Sequence, residues 1–239
     1  MVGAVMEQAQ LLEQGPLKAH SRDRELVALV GRHGAMTIEQ VMKAMRCGRT
    51  ASYRRVARCV EGGLIERLAI PGVSSAVLIA TRSGLSYAGL GLPVAKVSPA
   101  NVTHTLRCAT IAIRIELRPG RRVFTEREIV LEESIRGKQF ASVGVGRFRG
   151  KPKMHRADLL VEREDSEGEK LLIPIEVELT PKSPARLRGI IKAWRNAVLT
   201  GRFPHVEYCC ESGQTHRAVR RAASSAKAGE AVRVMKVSR

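Results

Sequence analysis

The stretch HRADLLVEREDSEGEKLLIPIEVELTPKSPARL, residues 155–187, gathers more carboxylates than any other part of a chain that is otherwise strongly basic. ADLLVERE and KLLIPIEVEL are two strand-like runs, and DSEGE between them has the composition of a hairpin turn. Centring the turn at Glu167 and Gly168 sets position 158 opposite about 176–178. Asp158 then faces Glu176 and Glu178 at the separation where cross-strand side chains meet. Alternation along the second strand puts Glu176 and Glu178 on one face and Ile175, Val177 and Leu179 on the other. Like charges brought together disfavour one another's ionisation unless a cation joins them. Mg²⁺ or Mn²⁺, which take oxygen ligands and water, would relieve that repulsion. The expectation is a metal site of Asp158, Glu176 and Glu178, with metal-assisted phosphodiester cleavage as the chemistry such an ion supports. The competing expectation is an acidic strand face paired with nearby basic side chains.

Outward from this segment the pattern alternates. PKSPARLRGIIKAWRNAVL reads as a helix with Ser183 as N-cap and Pro184 at its first position. Leu187, Ile190, Ile191, Trp194 and Val198 form its buried stripe, while Arg188, Lys192 and Arg195 project elsewhere. HVEYCC reads as a strand, QTHRAVRRAASSAKA as a basic helix and AVRVMKV as a last strand. Upstream, NVTHTLRCATIAIRIELRPG is a helix with Leu106, Ala109, Ile113 and Leu117 on one stripe, and RRVFTEREIVLEE contributes the first strand. The polar stretch 136–156, with seven Lys or Arg, four Gly and no acid, reads as a mobile loop against phosphates, through Arg147, Arg149, Lys151 and Lys153.

The N-terminal half has a different grammar. Leu26, Leu29 and Val30 recur at helical spacing over residues 22–32. Thr37 and Gln40 form a capping-box pair at the start of TIEQVMKAM. A third helix over 50–61 sets Tyr53, Val56 and Val60 on its apolar side, so Tyr53 reads as packing, and Arg54, Arg55 and Arg58 largely on the other. Two short strands, 64–70 and 76–81, follow around a Pro-Gly turn. Three helices and a hairpin resemble a winged helix-turn-helix, in which the third helix enters the major groove. The DNA-contact candidates there are Arg49, Ser52, Arg54, Arg55 and Arg58. Pro93 and Pro99 mark a linker. The expected organisation is an arm over 1–21, the winged helix over 22–92, a linker over 93–100 and a second domain over 101–239.

The order helix, three strands, helix, strand, with Asp158 ahead of a hairpin and Glu176-x-Glu178 on its second strand, resembles the PD-(D/E)xK restriction-endonuclease-like superfamily. That resemblance implies metal held by Asp158 and Glu176. The position that usually carries a lysine assisting the attacking water is Glu178 here, which leaves Lys182 as the substitute, and Ala157 stands where the motif has proline. With the winged helix, FTEREI, RADLLVE and IEVELTPKSPARL, the layout is similar to the replication-relaxation family of bacterial mobile elements. The expected fold is thus α/β (α+β), a winged helix-turn-helix followed by a restriction-endonuclease-like αβββαβ domain. The likeness implies DNA work in plasmid mobilisation or replication, with nicking in some relatives.

Composition agrees with that partner. The 239 residues hold 41 Lys+Arg against 23 Asp+Glu, a net charge of +18, which draws polyanions and makes double-stranded DNA the expected partner, with a homodimer as a further expectation. No apolar run approaches the ~20 residues of a membrane span, and MVGAVMEQAQLLEQGPLK lacks the pattern of a signal peptide, so the expected location is the bacterial cytoplasm. The five cysteines show no CxxC and read as reduced and mostly buried. His20, His33, His104, His155, His205 and His216 form no HxH pair for two-histidine relaxase chemistry, and His155 reads as a surface residue. No Walker A motif is present, so no nucleotide cofactor is expected. The alternative function is a DNA-binding regulator or replication accessory factor whose nuclease-like half does not cut.

Overall fold

The computed structural model describes residues 21–237, so residues 1–20 of the expected arm lie outside the described residues. The chain is mixed α/β, with eight helices and three sheets among the described residues.

The N-terminal half runs α1 (Ser21–His33), β1 (Met36–Thr37), α2 (Ile38–Ala44), α3 (Arg49–Glu61), β2 (Ile65–Leu68), β3 (Val77–Ala80) and α4 (Arg82–Ala88). Its sheet has the order β1-β3-β2, antiparallel throughout. The expected capping box forms: Gln40 N–H donates to Thr37 Oγ1 and Thr37 N–H to Gln40 Oε1. Leu26, Val27, Val30, Val41, Val56 and Leu78 close the core beneath it. Helix α4 was not foreseen. Thr81 caps it, and its Gly84 lies so close to the backbone of Leu64 that a Cβ there would sit 2.0 Å from the carbonyl oxygen, so only glycine fits.

The second half is built on a five-stranded sheet of order β10-β9-β8-β7-β4. Its elements are α5 (Val102–Glu116), β4 (Arg121–Thr125), α6 (Glu126–Arg136), β5 (Ser142–Phe148), β6 (Lys151–Arg156), β7 (Leu159–Glu164), β8 (Lys170–Glu178), α7 (Pro184–Leu199), β9 (Val206–Cys210), α8 (Gly213–Ser225) and β10 (Val232–Lys236). The hairpin of β7 and β8 forms with a register within one residue of that read from the sequence: Leu159 lies opposite Ile175 and Glu164 opposite Lys170, which centres the turn on Glu167 and leaves Asp158 just outside the ladder. Asp165 holds its turn by accepting from the backbone of Glu167 and Glu169. Ile175 and Val177 pack with Ile111 and Ala112 of α5 on one face of the sheet. Leu160, Tyr208 and Cys210 pack with Leu187, Ile191 and Trp194 of α7 on the other.

Two expectations are corrected here. RRVFTEREIVLEE does supply a strand, but only over Arg121–Thr125; from Glu126 the chain is helix α6, because Thr125 and Glu128 make a second capping box, which ends β4 and starts the helix. The basic stretch 136–156 is largely a β-hairpin rather than a loop. Arg149 and Gly150 both take positive φ, 50° and 77°, the combination that a tight two-residue hairpin turn requires.

Helix α5 joins the halves. Ala109 and Ile113 enter the N-terminal core while Ile111 and Ala112 face the sheet. Arg32 of α1 donates to Glu116, Glu128 and the Val123 carbonyl, and Gln40 donates to the Leu106 carbonyl and Thr110 Oγ1.

Candidate nucleic-acid surface and carboxylate cluster

Helix α3 divides into two ends. Its C-terminal part is pinned to α1: Arg58 donates two bonds of 2.7 Å to Asp23, and Arg55 lies 3.4 Å from the same carboxylate, which is almost fully buried. Ser52 is fully buried, with its hydroxyl donating to the Gly48 carbonyl. Arg55, Arg58 and Ser52 therefore hold the helix in place, although the paired Arg58 side chain is still 40% exposed, and Arg49 and Arg54 are the two α3 candidates that stand in solvent without that tie to Asp23. Tyr53 also departs from expectation. It is 40% exposed, and the Arg49 guanidinium lies 5.5 Å from its ring centre. The exposed N-terminal end of α3 is thus Arg49, Thr50, Tyr53 and Arg54. The i, i+4 spacing of Arg49 and Tyr53 was the signal for that pairing.

The second half adds two basic surfaces. Arg147, Arg149, Lys151 and Lys153 are all exposed on the β5–β6 hairpin, whose tip carries Phe148, 64% exposed, under Arg149. Arg188 and Lys192 of α7 are exposed, whereas Arg195 is half-buried and donates to the Lys227 carbonyl. On α8, Arg217, Arg220 and Arg221 are exposed, and Lys182, Arg188 and Arg221 line one groove between α7 and α8.

The carboxylates are arranged differently from the expected trio. Asp158 precedes β7 at a bend, and its Oδ2 accepts from Val177 N–H at 2.7 Å. Its side chain thereby satisfies a β8 donor beyond the last β7 partner. His104 Nε2 lies 3.5 Å from the same oxygen and donates to the Val177 carbonyl. Glu176, 1% exposed, accepts on Oε1 from both His155 Nε2 (2.8 Å) and Trp194 Nε1 (2.9 Å). Glu178, also buried, is paired with Lys182. Each carboxylate thus has its own basic partner.

These contacts shape the protonation of the cluster. Burial pushes the Glu176 and Glu178 carboxyls up, against the pull of His155 and Lys182 respectively. The hydrogen bond to Asp158 raises His104. For His155, burial favours the neutral ring, but the bond to Glu176 and the charges of Glu176 and Asp158 outweigh it and raise its pKa. Burial, with Asp158 nearby, raises Glu126, whose N–H donates to the Asp158 carbonyl. His155 is thus a partly buried part of the cluster and not a surface residue.

A His-Cys-Asp group is positioned to hold a metal ion. Among the described residues, the set of three potential ligands with donor atoms all within 4.8 Å of one another is His104, Cys108 and Asp158. The trio of Asp158, Glu176 and Glu178 does not reach that spacing, and two of its members face the α7 side while Asp158 bends towards α5. An oxygen-only cage for Mg²⁺ or Mn²⁺ is therefore a poor fit to these residues. His104 and Cys108 were missed by the sequence reading, although their i, i+4 spacing on one helix face was legible.

Comparison with family models, with curated proteins and with solved structures finds no match. No helix among the described residues is long and apolar enough to cross a membrane.

Proposed function

We propose that the chain is a sequence-specific double-stranded DNA-binding protein of the bacterial cytoplasm, with a winged helix-turn-helix as its reading head and a nuclease-like half that grips DNA without cutting it. The observation that carries this reading is the division of α3. Its C-terminal end is tied to Asp23, and its N-terminal end offers Arg49, Thr50, Tyr53 and Arg54 to solvent. Exposed side chains at the start of a rigidly held third helix are what major-groove reading needs. The element order α1-β1-α2-α3-β2-β3, with a sheet of order β1-β3-β2, supports the winged-helix assignment. The β5–β6 hairpin and the α7–α8 surface supply phosphate contacts, which add affinity without specificity.

The non-cleaving form of the proposal rests on the pairing of Asp158, Glu176 and Glu178 with His104, His155 and Lys182. The second reading, hydrolysis assisted by Mg²⁺ or Mn²⁺, is favoured by the neighbourhood of Asp158 and Glu176 at the ends of adjacent strands, and would require those bases to let go.

The test is a site selected from a random DNA pool, then titrated with the full chain at several salt concentrations. Joint replacement of Arg49 and Arg54 by Ala should abolish preference for the selected site. Joint replacement of Arg147, Arg149, Lys151 and Lys153 by Ala should weaken binding to all sequences alike and reduce the salt slope by roughly 0.9 per lost phosphate contact. Undiminished site preference in the first variant would overturn the assignment of α3. Nicking of supercoiled plasmid in Mg²⁺ or Mn²⁺ that is lost in Asp158→Asn and Glu176→Gln would establish hydrolysis instead.

A further inference from the structure

We propose that His104, Cys108 and Asp158 form a binding site for a borderline first-row divalent ion of the zinc class, set at the junction of the two halves of the chain. His104 and Cys108 sit four residues apart on α5, so they share a face. The bend before β7 brings the Asp158 carboxylate to the same place. Zinc bonds of about 2.0 Å to nitrogen, 2.0–2.2 Å to oxygen and 2.3 Å to sulfur imply tetrahedral edges of roughly 3.3 Å (N to O) and 3.5 Å (N to S). The observed separations from His104 Nε2 are 3.5 Å to Asp158 Oδ2 and 3.9 Å to Cys108 Sγ, with 3.7 Å from Nδ1 to the sulfur. The two separations from His104 are within a few tenths of an ångström of those edges, and all three donor atoms lie within 4.8 Å of one another.

The donor set decides the class of metal. An imidazole nitrogen, a thiolate and one carboxylate oxygen suit Zn²⁺ or Co²⁺ and are wrong for Mg²⁺, which takes oxygen and water. Asp158 is already oriented by Val177 N–H, the kind of outer bond that steadies a ligating carboxylate. Binding balances as follows: the thiol proton leaves to solvent, and His104 gives up the Nε2 proton that it donates to the Val177 carbonyl in the metal-free chain, so that the imidazole keeps one proton on Nδ1 and its Nε2 lone pair goes to the ion.

A second observation points to the same place. His104, Cys108, Asp158 and Glu126 line a cavity of about 180 Å³ together with His33, Gly34 and the segment 95–97. His33 is buried, and its Nε2 has no hydrogen-bond partner. Three protein ligands leave a zinc-class ion one position for a further molecule, and the cavity that the three residues line has room for one. The site would tie α5, which enters both cores, to the end of β7.

The experiment is a Co²⁺ titration of the full chain, stripped of metal by chelator, without DNA, so that its outcome is independent of the DNA-binding proposal. One equivalent of Co²⁺ should give the near-ultraviolet thiolate-to-cobalt charge-transfer band and the intense visible bands of four-coordinate cobalt. Zn²⁺ should displace them and raise Tm, and Mg²⁺ should do neither. Cys108→Ser should lose the charge-transfer band. His104→Ala and Asp158→Asn should each weaken Zn²⁺ by more than the roughly 10–100-fold that loss of an outer-shell partner costs, with far-ultraviolet dichroism confirming that they fold. A wild-type chain without the band, a band that survives in Cys108→Ser, or equal competition by Mg²⁺ would overturn the site.

Discussion

Asp23 and Glu176 are both buried acids, at 5% and 1% exposure, and they are satisfied in opposite ways. Asp23 receives guanidinium groups whose outer ends reach solvent, with the Arg58 side chain 40% exposed. It lies between two helices near the surface, and its partners share their charge with water. Glu176 lies under α7, and its bonds come from Trp194, fully buried, and His155, 17% exposed. The first arrangement pins a helix for use elsewhere, whereas the second fills a sheet face where a catalytic carboxylate would need to be open. A buried charge is costly unless it is paired and hydrogen-bonded, so the geometry of its partners tells more about its role than the charge itself.

The largest effect should come from breaking the inner arrangement. Glu176→Ala leaves Trp194 Nε1 and His155 Nε2 without an acceptor, and loss of one partner of a buried pair costs about 3–5 kcal/mol. Glu176→Gln keeps an oxygen for both donors and should cost about 1 kcal/mol. Urea unfolding measures both. If Glu176→Ala unfolds no more easily than Glu176→Gln, the structural role of the carboxylate is wrong. The difference also dictates that any nicking assay use Gln, because an unstable Ala variant would imitate a catalytic loss.

The outer arrangement should be less sensitive. Asp23→Ala releases Arg55 and Arg58, and the exposed part of Arg58 can rehydrate, so the expected loss is about 1–3 kcal/mol. Because α3 loses its anchor, site preference should fall with it. A variant that is destabilised yet reads its DNA site unchanged would separate the pinning of α3 from its reading.

The hairpin of β7 and β8 was legible because alternation and the turn around Glu167 fix a register locally, and two of the three capping boxes among the described residues were written as Thr-x-x-Gln and Thr-x-x-Glu. The second was overlooked because IVL, residues 129–131, carries strand propensity that the cap overrides. The Arg149-Gly150 turn is a weaker signal than Asn-Gly, which hid the β5–β6 hairpin inside a basic run. What no local pattern could disclose is which base meets which acid. His104 and Asp158 are 54 positions apart and meet only because α5 packs beneath the sheet, and Glu176 finds Trp194 only when α7 covers the other face. The pairing along α3 was equally nonlocal, since Asp23 of α1 decides which arginines are tied down.

His33 offers the smallest and sharpest extension of the comparison, as a buried polar group whose Nε2 no partner satisfies. Burial first, and the adjacent Arg32 charge second, lower its pKa to about 3. A pKa below the unfolded value of about 6.5 means that the folded state prefers the neutral ring. Its contribution is therefore fully present above pH 6.5 and is lost as pH falls towards 3. Between pH 7.5 and 5.5 the loss amounts to about 1 kcal/mol. His104 and His155 are raised and have the opposite sign: their contribution is present below pH 6.5 and fades as pH rises through their folded values. Subtracting the His33→Phe profile from wild type isolates the first term, since the phenyl ring keeps the volume and cannot titrate. The wild-type urea midpoint is expected to fall relative to that of His33→Phe as pH drops from 7.5 to 5.5. Parallel profiles would mean that His33 protonates without penalty, and that the cavity it lines already admits water or an anion.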